Sequence, residues 1–178
     1  MIRVSKETSI GGSGKRRKKM AKTMKEISDN IKVEVKLFIN VSNHPMKGWS
    51  QEQLKAAAVL GEDGTFEVQF PQVGPEWSKQ DIRVESVKIY DLILSRISGW
   101  MDSHPLSAAL SSPKVTVHLM GEQSLFFCLA NFLIEKGFSV VVSTTERKTV
   151  ETTLPDGSTK KEANFQFVKF RELSRPFH

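Results

Sequence analysis

The sequence is poor in the residues that disulfide and metal chemistry require. It has one cysteine, Cys128, and four histidines among 178 residues. A single thiol cannot form an internal disulfide or a zinc site with several cysteines. The surrounding segment LFFCLANFLI predicts that Cys128 packs as a small apolar side chain. The histidines show no HExxH or other zinc spacing. These absences predict that the protein uses no metal and no cofactor.

The sequence also lacks the apolar segments that membrane insertion or secretion requires. No apolar run reaches the ~20 residues of a membrane-spanning helix. No apolar stretch follows the charged residues near the N-terminus, as it would in a secretory signal. We therefore predict a cytoplasmic protein that makes no contact with a membrane.

Several motifs of nucleotide-binding and hydrolytic proteins are missing. No GxGxxG follows a predicted strand, and no GxSxG is present. GGSGK at residues 11–15 comes close to a phosphate-binding loop, but Ser9 stands where that motif begins with glycine and Arg16 where it ends with Ser or Thr. Acidic residues are few at the site predicted below, which disfavours two-metal chemistry. An enzyme built on this sequence would act by positioning and charge stabilisation.

Positive charge is concentrated near the N-terminus. The formal net charge is +6 and the pI is about 9.5, and much of the excess lies in KRRKKMAKTMK at residues 15–25. Residues 1–30 contain few large apolar side chains, so they cannot bury enough surface to offset the entropy of ordering. We predict a flexible basic tail. A tail that contacts only solvent is favoured. A weak contact between residues 15–25 and a nucleic-acid backbone stays open as the alternative.

Residues 31–178 predict an α/β domain. Strands are predicted at 31–41, 65–70, 114–120 and 138–144, and helices at 51–60, 78–99 and 121–137. Strand, helix and strand follow one another within about 30 residues in the second half, which implies a parallel sheet. Residues 149–173 alternate and turn at Pro155–Ser158, which predicts a β-hairpin. The predicted fold is Rossmann-like and three-layered, with a mainly parallel sheet and a C-terminal hairpin.

Polar residues follow three of the predicted strands, in VSNHP, VTVHLMGE and VVVSTTER. Parallel strands bring their carboxyl ends to one edge of the sheet, where ligands of such sheets bind. The hydroxyl, amide and guanidinium groups there suit phosphate and ribose. The candidate residues are Asn40, Ser42, Asn43, His44, His118, Gly121, Glu122, Ser143, Thr144, Thr145 and Arg147. The recurrence predicts a nucleotide site.

Each of these features also has a structural explanation. Residues 143–145 could end a strand by turn chemistry alone, and His44 could be a loop residue held by packing. His118 lies within a strand pattern, where a buried and hydrogen-bonded imidazole is at least as common as a catalytic one. Glu122 is favourable wherever it begins a helix. The three polar strand ends together favour a ligand site.

Four segments resemble a known family: LFINVSNHPMKGWSQEQLKAA, VHLMGEQSLFFCLANFL, VVVSTTERKTVE and FQFVKFREL. Over residues 33–173 the chain is similar to the small prokaryotic proteins with CRISPR-associated Rossmann (CARF-like) folds. The resemblance implies a protein that binds a cyclic oligoadenylate, the second messenger of type III CRISPR systems, across a homodimer. Stand-alone members include ring nucleases, which linearise the messenger without a metal.

The resemblance also implies roles for individual residues. Residues 42–44, the Gly121–Glu122 turn and residues 143–147 would contact the ligand. His44 or His118 would act as general acid or base while a ribose 2′-OH of the ligand attacks the phosphorus. Arg147 or Lys148 would stabilise the charge that develops there. Glu122, an anion among ligand phosphates, would orient a ribose hydroxyl or an adenine amine.

Three functions stay open at this point. The first is a cyclic-oligoadenylate-binding protein that opens the ring. The second is a sensor or sponge with the same pocket and no turnover. The third is an accessory protein that binds nucleic acid through its basic tail. A homodimer is expected for the first two, because a ring with two-fold symmetry fits on a two-fold axis.

Overall fold

A computed structural model describes residues 34–153 and 159–174 of the chain. The predicted basic tail and the predicted turn at residues 155–158 lie outside these residues. Within the described residues, five strands form one sheet in the order β2-β1-β3-β4-β5. The strands are β1 (Lys36–Ser42), β2 (Gly64–Gln69), β3 (Lys114–Met120), β4 (Ser139–Thr153) and β5 (Thr159–Leu173).

The first four strands run parallel, and the last pair is antiparallel. β1 pairs with β2 on one side and with β3 on the other, and β3 pairs with the first residues of β4. β4 and β5 pair antiparallel along their length. These pairings confirm the predicted α/β class, the mainly parallel sheet and the antiparallel C-terminal pair. All but the first residue of β1 are buried, which is the pattern of an inner strand covered on both faces.

In the described part of the chain, four helices connect the strands: α1 (Gln51–Leu60), α2 (Lys79–Ser103), α3 (Pro105–Leu110) and α4 (Gln123–Glu135), with a short 3-10 helix at Met46–Gly48. Ser78 caps α2 in a reciprocal box with Asp81. α4 ends before Gly137, whose φ of 87° places it in the left-handed region that favours glycine. α2 was predicted to end near Gly99 but continues to Ser103, because glycine lowers helix stability without ending a helix that packing supports.

The two faces of the sheet carry different helices. The connection from β1 to β2 and the connection from β2 to β3 move in opposite directions across the sheet, so right-handed crossovers put α1 on one face and α2 on the other. α1 packs over Phe38, with Ala57 and Val141 in the same buried cluster. α2 and α4 pack against each other, where the rings of Tyr90 and Phe132 are 5.1 Å apart.

β4 differs from its prediction. The sequence predicts a strand at residues 138–144 and a separate hairpin from residue 149, whereas the structure has one continuous 15-residue strand. Only three positions, Ser139 to Val141, pair with β3. The remainder pairs with β5 alone, so β4 and β5 project beyond the sheet as a two-stranded ribbon. The polar segment between the two predicted strands is held by this backbone pairing and not by burial.

Candidate functional site

A row of polar side chains crosses four strands on the α1 face of the sheet. It consists of Glu67 on β2, Asn40 on β1, His118 on β3 and Ser143 on β4, and we call it the polar row. The backbone register pairs Asn40 with Glu67 on one side and with His118 on the other. Ser143 lies two residues beyond Val141, the partner of His118, and so it shares the same face. Parallel pairing brings the first three residues to one level, and Ser143 lies two residues farther along on the same face.

His118 is the centre of the polar row. Its Nδ1 lies 2.8 Å from Asn40 Oδ1, and its Nε2 lies 2.9 Å from Ser143 Oγ. The amide nitrogen of Asn40 already donates to the His44 carbonyl and to Glu67. Asn40 Oδ1 therefore accepts, which assigns the proton of the imidazole to Nδ1 and leaves Nε2 to accept from the Ser143 hydroxyl. Both ring nitrogens are used within the protein.

Burial keeps His118 neutral. Its side chain is 1% exposed, beneath the rings of Trp49 at 5.2 Å and Phe170 at 5.1 Å. Desolvation, with a smaller contribution from the nearby His44, lowers the pKa of His118 to about 4. His118 was predicted as a candidate catalytic residue. The structure agrees with the structural explanation of this residue, because its imidazole is buried and hydrogen-bonded.

The VSNHP segment is fixed through its backbone. The carbonyl of His44 accepts three hydrogen bonds, from Asn40 Nδ2 at 3.1 Å, Ser42 Oγ at 2.9 Å and Trp49 Nε1 at 3.0 Å. The His44 N–H donates back to Ser42 Oγ at 3.1 Å. The His44 side chain itself is exposed. Ser42 and Asn40 therefore serve to hold this loop, and the loop presents an imidazole to solvent at the carboxyl edge.

A cavity of about 230 Å³ opens between the carboxyl ends of β1 and β2. It is lined by Asn40, Ser42, Asn43, Pro45, Glu67, Val68 and Gln69. The polar lining consists of amides, one hydroxyl and one carboxylate, and the lining contains no lysine or arginine. This space, which we call the edge cavity, can exchange hydrogen bonds with a hydroxyl or an amine.

Glu67, Gln69 and Trp49 were not among the site residues predicted from the sequence. Glu67 and Gln69 alternate with Phe66 and Val68 in the strand TFEVQF, and this period of two was the signal that both polar side chains share one face. Nothing in the sequence shows that this face adjoins Asn40. Trp49 carries no such signal, because it covers His118 from a loop.

The turn after β3 is occupied by the protein's own side chains. A Cβ added at Gly121 would lie 2.3 Å from the Phe70 ring, so the glycine is required for the approach of that ring. Glu122 caps α4 by accepting from Ser124 N and Leu125 N. The Ser124 hydroxyl is the main cause of a lowered Glu122 pKa, and these backbone amides add to it. A phosphate at this helix end would meet a carboxylate already bound there.

The candidate residues of β4 fall into two groups. Ser143 belongs to the polar row and also accepts from Gln53 Nε2 at 3.2 Å. Thr144 Oγ1 donates to the Lys169 carbonyl within the ribbon. Thr145, Arg147 and Lys148 are exposed farther along the ribbon. Arg147, four residues past Ser143, lies roughly 13 Å from it along the strand.

A larger cavity of about 670 Å³ lies between α2 and α4, and Cys128 is part of its lining. Trp77, Val87, Phe127 and Phe132 make this groove mainly apolar. The edge cavity is the better candidate site, because several polar groups of different chemistry converge there at the carboxyl ends of parallel strands.

Within residues 34–153 and 159–174, no three side chains of His, Cys, Asp or Glu lie together in a way that could hold a metal ion. In that same part of the chain, no helix combines the length and apolar character needed to cross a membrane.

A protein-family model matches most of the chain. The model of the family described as "Uncharacterized protein MJ1673 family" matches residues 36–171, which include β1 to β4, all four helices and most of β5. No curated protein and no solved structure matches the chain. The match extends over far more than half of the 178 residues, and the chain therefore belongs to the uncharacterized protein MJ1673 family.

Proposed function

We propose that this protein is a Rossmann-like, three-layer domain that binds a cyclic oligoadenylate at the carboxyl edge of its sheet. The edge cavity carries the proposal, because its amides, hydroxyl and carboxylate converge where open parallel sheets bind nucleotides. The resemblance of residues 33–173 to CARF-like proteins supplies the ligand class. The fixed loop at residues 42–44 and the cavity share Ser42 and Asn43, two of the residues to which that resemblance assigns ligand contacts.

Binding without turnover is the form of this function that the geometry supports best. Both nitrogens of His118 are hydrogen-bonded inside the protein, and its low pKa leaves it a weak base. Arg147 lies on the ribbon, well past Ser143. A general base and a phosphate-stabilising cation are thus not assembled around one point by these two residues. We assign His118 a positioning role.

Ring opening at His44 is a second candidate, and the fixed His44 carbonyl favours it. Three side-chain donors hold that carbonyl while the imidazole is exposed, so a side chain able to act as general acid or base projects from a fixed backbone position. In the reaction, the ligand's 2′-oxygen would bond to the adjacent phosphorus as the bond from phosphorus to the 5′-oxygen breaks. The 2′-OH loses its proton to a base, and the 5′-oxygen gains one from an acid. His44 would fill one of those roles.

The deciding experiment incubates the full chain with cyclic tri-, tetra- and hexa-adenylate in EDTA, while thermal unfolding and products are followed together. Stabilisation with no product is the expected result. If the wild type makes a linear product and His44→Ala does not, the protein is a ring nuclease and not a sensor. If no ring raises the unfolding temperature or is cleaved, the proposal is wrong.

A matched histidine provides the control for His44. His104 is also exposed but lies at the C-terminal end of α2, and its Nδ1 contacts the Trp100 carbonyl. We expect His104→Ala to bind and process every ring as the wild type does. An equal effect of both substitutions would mean that the assay reports stability and not the site.

The homodimer and the basic tail are parts of the proposal that need separate measurements. We propose that the ligand binds across a homodimer, which light scattering would show as a doubled mass. Removal of residues 1–30 should leave ring binding unchanged. If the deletion abolishes function while the ring site is dispensable, the protein is instead a nucleic-acid-binding accessory protein that acts through residues 15–25.

A further inference from the structure

We propose that Glu67 recognises the 2′-hydroxyl of the bound nucleotide and so makes the site specific for ribonucleotide over deoxyribonucleotide rings. The inference rests on the proposed function, since it assigns a role within the same ligand site. It concerns a residue that neither the strand-end pattern nor the resemblance singled out.

The chemistry of the edge cavity favours a sugar over a phosphate. Its lining combines the Glu67 carboxylate with the side-chain amides of Asn40, Asn43 and Gln69. A carboxylate accepts hydrogen bonds and repels an anion, and no cation in the lining offsets that charge. A hydroxyl group is a donor that the carboxylate can bind. The ligand phosphates therefore lie outside this cavity.

The size of the edge cavity agrees with a single sugar. Its volume of about 230 Å³ is below the ~300–1,000 Å³ of cavities that enclose whole drug-sized ligands. One ribose fits as the inserted part while the remainder of a ring molecule stays at the surface.

The polar row orients the Glu67 carboxylate. Its Oε1 accepts from Asn40 Nδ2 at 3.3 Å and from the backbone N–H of Met46. Asn40 is held in turn by His118, and His118 by Ser143. Among the described residues both contacts of Glu67 go to Oε1, which leaves Oε2 as the acceptor for a ligand. A carboxylate whose rotamer is fixed in this way loses less entropy when it binds.

The 2′-hydroxyl is the donor that a cyclic oligonucleotide can offer from its sugar. In a ring joined by 3′–5′ phosphodiesters the 3′-oxygen is esterified, so the 2′-OH is the remaining hydroxyl of each ribose. A hydrogen bond from this group to a charged acceptor is worth enough to discriminate by about 10- to 100-fold between ribose and deoxyribose. The adenine amine is the competing donor, and the test separates the two.

The test measures dissociation constants of cyclic tetra-adenylate and of its 2′-deoxy analogue for wild type and Glu67→Gln. The glutamine retains one oxygen for Asn40 and Met46 but replaces the second acceptor with a donor. We expect wild type to prefer the ribo ring by about 10- to 100-fold, and Glu67→Gln to bind both rings with nearly equal affinity. Glu76→Gln, an exposed carboxylate in the loop before α2, should retain the wild-type preference.

The outcomes distinguish this inference from the proposed function. Equal affinity of the wild type for both rings overturns the role of Glu67 while the binding function stands, and this result needs no variant to fold. An equal loss of affinity for both rings in Glu67→Gln also overturns it, since Glu67 would then bind the adenine base or stabilise the fold. A wild type that binds neither ring removes both proposals. Cyclic tetra-inosinate, which lacks the adenine amine, should bind the wild type as the adenylate does.

Discussion

The two faces of the same central strands are built from different chemistry. On the α2 and α4 face, β1 and β3 bury only hydrocarbon, including Leu37, Ile39, Val117 and Leu119. On the α1 face the same strands bury Asn40 and His118, and every buried side-chain polar atom among the described residues has a hydrogen-bond partner. The α1 face thus combines burial with directional hydrogen bonds, and these connect the sheet directly to the loop and the cavity at the carboxyl edge.

The largest expected effect is a loss of stability caused by a substitution on the apolar face alone. Leu129 on α4 is fully buried, so Leu129→Ala should lower the free energy of unfolding by roughly 2–5 kcal/mol. The side chain of Phe127 on the same helix is 71% exposed, and Phe127→Ala should change that free energy by less than about 0.5 kcal/mol. Urea denaturation measures both. Comparable losses in the two variants would contradict the burial that distinguishes them.

The next largest effect is the pH dependence of the free energy of unfolding that His118 in the polar row causes. Well above pH 6.5, His118 is neutral in the folded and the unfolded chain, so its contribution is constant. As the pH falls from 6.5 to 4, the unfolded chain takes up a proton that the buried imidazole does not, and the free energy of unfolding decreases. A pKa near 4 in place of 6.5 corresponds to a loss of about 3 kcal/mol over this range.

His118→Gln isolates that contribution, because it keeps a hydrogen-bonding side chain without a titratable group. Urea denaturation between pH 4 and pH 7 should show a shallower decline of stability for the variant than for the wild type. The carboxylates contribute equally to both curves. Parallel curves would mean that His118 is accessible to protons and is not sealed beneath Trp49 and Phe170.

The smallest effect concerns the edge loop. Trp49→Phe keeps an aromatic ring over His118 but removes one of the three donors to the His44 carbonyl. We expect a loss of roughly 1 kcal/mol in the free energy of unfolding, together with faster amide exchange at Asn43 and His44. Unchanged exchange in those residues would show that Asn40 and Ser42 hold the loop without the indole.

Most of the fold could be predicted from the sequence, because the central strands are apolar runs and the helices carry caps. β1, β3 and α4 emerged from patterns that extend over fewer than 20 residues. The continuity of β4 could not be predicted in this way. Past Val142 its segment STTERK has no apolar alternation, and only pairing with β5 makes it a strand.

The sequence predicted which strand ends form the candidate site, but not which of its residues are buried. The three polar strand ends do meet at one edge, as parallel pairing requires. Whether a residue there faces solvent depends on parts of the chain far from it. Trp49 and Phe170 cover His118, and Phe70 fills the space at Gly121. The pairing of Asn40 with Glu67 depends on register between strands 27 residues apart, which a local pattern does not contain.

The register of the parallel strands also determines when the site can form during folding. Thr153 and Thr159 pair across a short connection, so the ribbon needs little loop closure and can assemble early. Asn40 and His118 are 78 residues apart in the chain. Their hydrogen bond can form only after the chain between them, which contains α1, β2, α2 and α3, has brought the two strands together. We therefore expect the carboxyl edge, and with it the edge cavity, to be among the last parts of the protein to acquire its native arrangement.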